Sequence, residues 1–436
     1  MLASSKFENR LKVLYALPAF ALAFPTIPVF VLLPTFYAET VGLGLATVGW
    51  VMFGLRVFDV TTDPIVGHYT DSIPRRLGRR KLPMAIGGLI AGPALLFLFS
   101  PADDSSFYYL IFWGGLLYLG WTIIQIPYLA WSVELYGSYH DRNEINGLRE
   151  GIGLAGILAV GLLLLFLTDL SEFDRFQFLA WFTFIVGIIL FLITLSIVPE
   201  AHRIGKAPSF KFPYKNLLFL RVLAAWFVNG LANGFPAVCL PLYLTYVLQL
   251  EEIDKYLLIF MYFLFAILGI PVWLAVARQM DKHKVWCLSM LIACAAFIIV
   301  PFLGAGDMLV FGLICAITGF TLGSDLSLPP SIQADCADWD RFRFGFDRTS
   351  TLFAYWSMST KLSLGLAVGI AFPLLEYYGL SLDRSAEQSS SGYMALIVIY
   401  AVLPIVLKIL AVWLMWGFPL TQKTHAALNL ALEKRR

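Results

Sequence analysis

Apolar residues dominate twelve long stretches of the chain, at roughly 13–37, 43–67, 82–100, 107–134, 148–168, 177–198, 217–249, 256–278, 284–304, 308–332, 348–377 and 393–418. A helix needs about 20 such residues to cross the hydrocarbon of a bilayer, and a barrel strand needs only about half as many. Backbone polar groups at membrane depth must be bonded inside the segment itself. The pattern therefore predicts an all-α membrane protein with twelve transmembrane helices. The longest polar connection, 199–216, is rich in Pro and Lys and leaves six stretches on either side. It reads as a linker between an N-terminal six-helix bundle, 1–198, and a C-terminal one, 217–436.

Composition supports the same class. With 59% hydrophobic residues and 14% charged, a chain of this length is no soluble domain. A net charge of +2 without a long basic or acidic run argues against a nucleic-acid partner. Of the 31 Lys and Arg, 25 fall at the two ends and in alternate connections, against 3 in the opposite connections. That bias predicts that both termini are cytoplasmic. The first apolar stretch is too long for a cleaved signal and reads as a retained helix. Cys239, Cys287, Cys294, Cys315 and Cys336 have no CxxC spacing and read as core residues. A basic loop follows the second stretch, Gly67 to Lys81, and a shorter one follows the eighth, Arg278 to Lys284. Two six-helix units arranged in parallel are a pattern of secondary transporters, which rock about a site near the midplane.

Candidate chemistry lies where charge interrupts the apolar stretches. Asp59 and Asp63 are four apart, hence on one helical face, and Arg56 precedes Asp59 by one turn. Charge at that depth is costly and seldom idle. The group either holds a small cation or forms a structural salt bridge. Asp325 stands in Gly-Ser-Asp-Leu-Ser-Leu-Pro-Pro, whose prolines loosen a helix toward a cavity. Lys408 is too deep to snorkel and calls for a carboxylate partner, Asp325 being one choice. The run Gly151-Ile-Gly-Leu-Ala-Gly156 matches a dinucleotide pattern but lies inside an apolar helix, where close packing explains it. His68, His140, His202, His283 and His425 form no ligand spacing, so no metal beyond a coupling cation and no cofactor is expected. Without a nucleotide-binding, GxSxG or HExxH motif, an enzyme is not expected either.

Gly67-xxx-Asp71 followed by Arg79-Arg80-Lys81 resembles the loop motif of the major facilitator superfamily. Arg56-Val-Phe-Asp-Val-Thr-Thr-Asp-Pro-Ile-Val-Gly67 resembles the second helix of the glycoside-pentoside-hexuronide:cation symporters, the family typified by melibiose permease. Supporting matches run through Ile126-Pro-Tyr, Arg149, Ala334-Asp-Cys-Ala-Asp338, taken to follow helix ten, and Lys361. The resemblance implies a cation site made of Asp59, Thr62, Asp63 and Thr122, for Na+ or H+. Hard oxygens suit sodium, and paired carboxylates readily share a proton. Sodium-using members carry Asn where this chain has Thr62.

Sugar-binding members carry acids where this chain has Ala23 and Gln125, and an aromatic where it has Leu129. The resemblance leaves Arg149, Lys361 and Gln125, with Asp325, as substrate residues. Arg56, Asp71, Arg79, Arg80, Asp335, Asp338 and Lys408 are assigned to coupling or gating. The expected function is cation-coupled symport of a small organic solute, such as a sugar or sugar derivative, by alternating access. Alternatives are transport of a lysolipid or another amphiphile or anion by the same fold, and a non-transporting sensor. The expected partners are solute, monovalent cation and bilayer, with no obligate protein partner. The expected location is a bacterial inner membrane.

Overall fold

The computed structural model describes residues 10–72, 78, 80–102, 105–135, 139–200, 214–345, 349–382 and 389–433. Among these, twelve helices are long and apolar enough to cross a membrane. They are α1 (Arg10–Thr40), α2 (Leu45–Ser72), α3 (Lys81–Leu98), α4 (Phe107–Leu135), α5 (Tyr139–Phe166) and α6 (Glu172–Ile197). The second set is α7 (Leu217–Val247), α8 (Glu252–Gln279), α9 (Lys282–Phe302), α10 (Met308–Phe344), α11 (Thr349–Tyr377) and α12 (Ser390–Met415). A short amphipathic helix, α13 (Gln422–Glu433), follows. The chain divides into two compact units, Met1–Ala207 and Pro208–Arg436.

In the N-terminal unit a buried aromatic clasp holds α1 to α4. Tyr15 donates to the Tyr128 carbonyl at 2.5 Å, and Tyr128 donates to the Tyr15 carbonyl at 2.9 Å. Their rings stack with centroids 4.8 Å apart, and Trp131 meets Tyr15 edge-on. Such pairs add to the burial of their large apolar area. Gly156 of α5 lies so close to α1 that a side-chain carbon there would strike the Phe20 backbone. Just past α6, the Glu200 carboxylate accepts from the backbone N–H groups of Arg80 and Lys81 at 2.9 and 3.4 Å. This supplies the free donors at the start of α3 and favours its dipole.

The C-terminal unit is built on a close pairing of α8 with α10. A Cβ added at Gly319 would meet the Tyr262 carbonyl oxygen, and one added at Gly323 would meet the Ala266 carbonyl oxygen. Small residues let membrane helices approach until backbone touches backbone, where dispersion replaces the missing hydrophobic drive. Asn216 caps α7 by accepting from the Phe219 N–H at 3.0 Å, and its amide donates to Asp340 Oδ1 at 3.0 Å. Each described end of the 199–216 connection is thus tied into its own unit.

The internal repeat shows in the backbone. α1 ends in a π-helical turn at Phe36–Thr40 and α7 in one at Tyr243–Val247. Beyond each turn, Leu43 N–H bonds the Tyr37 carbonyl and Leu250 N–H bonds the Leu244 carbonyl. Tyr37 donates to the Leu98 carbonyl at the end of α3, as Tyr243 does to Val300 in α9.

One boundary departs from the sequence expectation. α10 runs 37 residues, to Phe344, so Asp335 and Asp338 lie within it and not after it. No Gly or Pro intervenes between Ser331 and Phe344, and Gly345 at φ +73° ends the helix. The polar extension is held by side chains: Lys282 Nζ lies 2.9 and 2.7 Å from the two Asp335 oxygens. His425 Nε2 of α13 lies 3.2 Å from Asp338 and 3.5 Å from Asp335. Gln422 of α13 donates from its backbone to Asp281 and from its amide to the Ala277 and Met280 carbonyls.

Because α8 and α10 touch through backbone, Gly323→Leu should prevent their pairing, whereas Gly304→Ala, at an open position, should be tolerated. Size-exclusion profiles of the two purified proteins test this. A monodisperse Gly323→Leu protein in wild-type yield would contradict it.

Candidate functional site

Pro64 lies inside α2. It brings no N–H, so the Val60 carbonyl drops out of the helical ladder between the two acidic residues. Asp59 is 3% exposed and Arg56 6%, while Asp63 and Thr62 are half-buried. The Arg56 guanidinium is held between two rings, 4.2 Å from the Phe30 centroid and 4.6 Å from that of Tyr118. That sandwich fixes a desolvated cation, which donates to Asp59 Oδ2 at 3.1 Å.

Thr122 of α4 completes the group. Its Oγ1 lies 3.0 Å from Asp59 Oδ1 and 3.0 Å from Asp63 Oδ1, and the residue is 2% exposed. One hydroxyl hydrogen therefore stands between two carboxylates. Thr62 spends its own hydrogen on the Asp59 carbonyl at 2.9 Å, so toward a ligand it has only lone pairs to offer. Gln125, one turn beyond Thr122, is half-buried. Its Oε1 is enclosed with no donor among the described residues. Arg149 forms an ion pair with the exposed Glu150 at 2.6 Å.

A second polar group occupies the C-terminal unit. Asp325, 4% exposed, accepts from Trp286 Nε1 at 2.6 Å on one oxygen. On the other it accepts from Asn229 at 3.1 Å and Asn233 at 2.8 Å. Lys408 Nζ lies 3.7 Å from that same oxygen and donates to Asn229 Oδ1 at 2.9 Å. Prolines 329 and 330 lie inside α10, so the carbonyls of Asp325 and Leu326 lose their helical donors, yet α10 continues through them. Asn229, Asn233, Trp226 and Trp286 were not singled out from sequence. The available signal was two Asn four residues apart in an apolar helix, which must find partners in lipid.

The remaining predicted residues are scattered. Lys361 is half-buried in α11. Asp335 and Asp338 belong to the far end of α10 with His425. Arg80 is buried beside Glu200. Asp71 lies in the last turn of α2, and Arg79 lies outside the described residues.

Twelve spanning helices in two repeated units define an integral, multi-pass membrane protein of the major facilitator fold. Residues 14–422 match the family model described as MFS/sugar transport protein. The chain belongs to that family, among the glycoside-pentoside-hexuronide:cation symporters, and is a transporter, not an enzyme. An uncharacterized symporter of Synechocystis is 21% identical, with 92% of each chain covered. The glucuronide carrier protein homolog of Escherichia coli is 22% identical over 92% of this chain and 90% of its own. The crystal structure of a D-xylose-proton symporter superposes with a TM-score of 0.65 at 13% identity, covering 93% of this chain and 97% of that one.

Thr122→Val keeps the shape of the side chain and removes the shared hydrogen. It should lower stability by about 1–3 kcal/mol, the usual cost of removing a buried hydrogen-bond donor from its acceptors. Thr122→Ser should restore most of it. Thermal midpoints of the three purified proteins provide the check, and an unchanged valine variant would show that the hydroxyl carries no such load.

Proposed function

We propose that the protein is a cation-coupled symporter of a small hydroxyl-bearing solute, with the coupling ion held by Asp59 and Asp63. One observation carries this: two carboxylates converge on a single hydroxyl hydrogen at equal distance. Two carboxylates brought to one hydroxyl at low dielectric are a geometry that shares a proton or holds a cation. Arg56, held by its two rings, bonds Asp59 through Oδ2, while Thr122 reaches Asp59 through Oδ1. Asp63, Thr122, Thr62 and the freed Val60 carbonyl are oxygen donors suited to Na+. A proton shared by the carboxylates is the other choice. The names of the glucuronide carrier homolog and the D-xylose-proton symporter fit a sugar or sugar acid driven by an ion.

On the solute side, Gln125 offers an enclosed acceptor oxygen and Arg149 and Lys361 offer positive charge. The cluster of Asp335, Asp338, Lys282 and His425 we assign to gating at the end of α10. By the distribution of Lys and Arg, that end and both termini are cytoplasmic, as in a plasma-membrane carrier. Loading the carboxylates with a cation removes charge from α2 and favours the state that accepts solute, which gives coupling if the half-loaded carrier turns over slowly.

Proteoliposomes with a sodium gradient or a pH gradient alone, offered radiolabelled sugars and sugar acids, test the reading. Wild type should accumulate solute under one gradient only. Asp59→Asn and Asp63→Asn should each abolish accumulation, at least 100-fold on the scale of a lost charged contact in a dry site, while counterflow exchange persists. Full accumulation by both variants would overturn the assignment.

A further inference from the structure

We propose that Asn233, Lys408 and the ring of Trp226 form a hydroxyl-binding subsite in the C-terminal unit, with Asp325 as the residue that positions them. The proposal rests on the solute-transport reading above and names which residues of this unit grip the solute.

Trp226, Asn229 and Asn233 recur at i, i+3 and i+7 and so share one face of α7. The network they join has two layers. Asn229 and Trp286 are 0% exposed and Asp325 is 4% exposed. Asp325 takes three N–H donors, and its oxygens are saturated. Asn233, Lys408 and Trp226 form the outer layer and are only partly buried, Lys408 with 12% of its side chain exposed. Each has spare capacity. Asn233 gives an amide hydrogen to Asp325, and its carbonyl oxygen has no partner among the described residues. The Lys408 ammonium gives one hydrogen to Asn229 and lies 3.7 Å from Asp325, which leaves a third hydrogen uncommitted among those residues.

An ammonium inside a membrane span that does not reach the interface must face protein or water, not lipid. Lys408 is bonded to Asn229 and so does not snorkel. Its open side is therefore a polar space.

The chemistry of that face selects its ligand. An acceptor oxygen beside a donor ammonium matches a hydroxyl group, which both donates and accepts. The ammonium is already neutralised by Asp325, so a bare carboxylate gains little there. Trp226 adds a ring whose orientation is fixed on both sides: its Nε1 donates to Thr360 at 2.7 Å, and it stacks on Trp356 with centroids 4.6 Å apart. A preorganised ring binds the apolar C–H face of a sugar without an ordering cost. The α7 stripe provides both an aromatic ring and polar groups on one face. The ligand class is thus the hydroxyl-bearing ring of a neutral or singly acidic pyranoside.

The test uses the full-length protein in detergent. Methyl β-D-glucoside, methyl β-D-glucuronide and their monodeoxy derivatives are titrated by isothermal calorimetry, with thermal midpoints measured in parallel. Asn233→Ala should weaken binding about tenfold, the scale of one lost hydrogen bond to a neutral or charged partner, with its midpoint close to wild type. For one monodeoxy probe the same substitution should cause no further loss, which a merely structural role would not produce. Lys408→Met paired with Asp325→Asn removes the ion pair without stranding a charge and should also weaken binding tenfold or more. Asp325→Asn alone should weaken every probe that feels Asn233.

Folded variants that bind all probes as wild type does, or an Asn233→Ala loss that is equal for every deoxy derivative, would overturn the proposal. Failure of the wild-type protein to bind either glycoside would also overturn it. That result is distinguishable from failure of the coupling site, which is read from ion-driven uptake in the Asp63→Asn protein.

Discussion

Hydrocarbon offers a buried polar group no water, so every charge and amide that this chain carries into the membrane must be answered by another part of the protein. The consequence is visible wherever the apolar pattern breaks. Arg56 is answered by two aromatic rings and a carboxylate. Asp325 is answered by an indole, two amides and an ammonium, drawn from three other helices. These bonds cross between helices that apolar packing alone would leave free to slide, since lipid tails are as apolar as the side chains they would replace.

The two units meet this demand with opposite balances. In the N-terminal unit, two carboxylates share one hydroxyl, and a guanidinium pairs with one of them. Clustered acceptor oxygens are what bind a cation or a proton. In the C-terminal unit, the carboxylate is saturated by donors and the surplus lies on the outer groups. A saturated anion is a support for its neighbours more than a site in itself. On the reading proposed above, the ion is held in one unit and the solute hydroxyl in the other.

Glycine and proline set the geometry on which these balances depend. Glycines at the α8–α10 contact bring backbones together, and the resulting rigidity fixes where Asp325 stands. Pro64, Pro329 and Pro330 remove helical N–H groups within a turn of Asp63 and Asp325, so each acidic residue sits beside carbonyls outside the ladder. Helix-breaking chemistry and charge coincide in both units. Where backbone oxygens leave the ladder at membrane depth, they line a polar space or a ligand.

The class, the number of helices and the grouping of Arg56, Asp59 and Asp63 were legible in the sequence, because these depend on hydropathy length and on helical period. Both are local properties: a helical period is readable over about two turns and a membrane span over about 20 residues. The true end of α10 was not legible, because the polar run after Ile332 looks like a loop until Lys282, Asn216 and His425 arrive from distant segments to pair with Asp335, Asp340 and Asp338. Nor was the stripe of Trp226, Asn229 and Asn233 legible as a site. An amide in an apolar helix has no meaning until its partner is known, and Asp325 lies 96 and 92 residues away in the chain. Only the tertiary structure decided which buried carboxylate receives donors and which shares them, because hydrogen-bond saturation is a property of the space where helices meet.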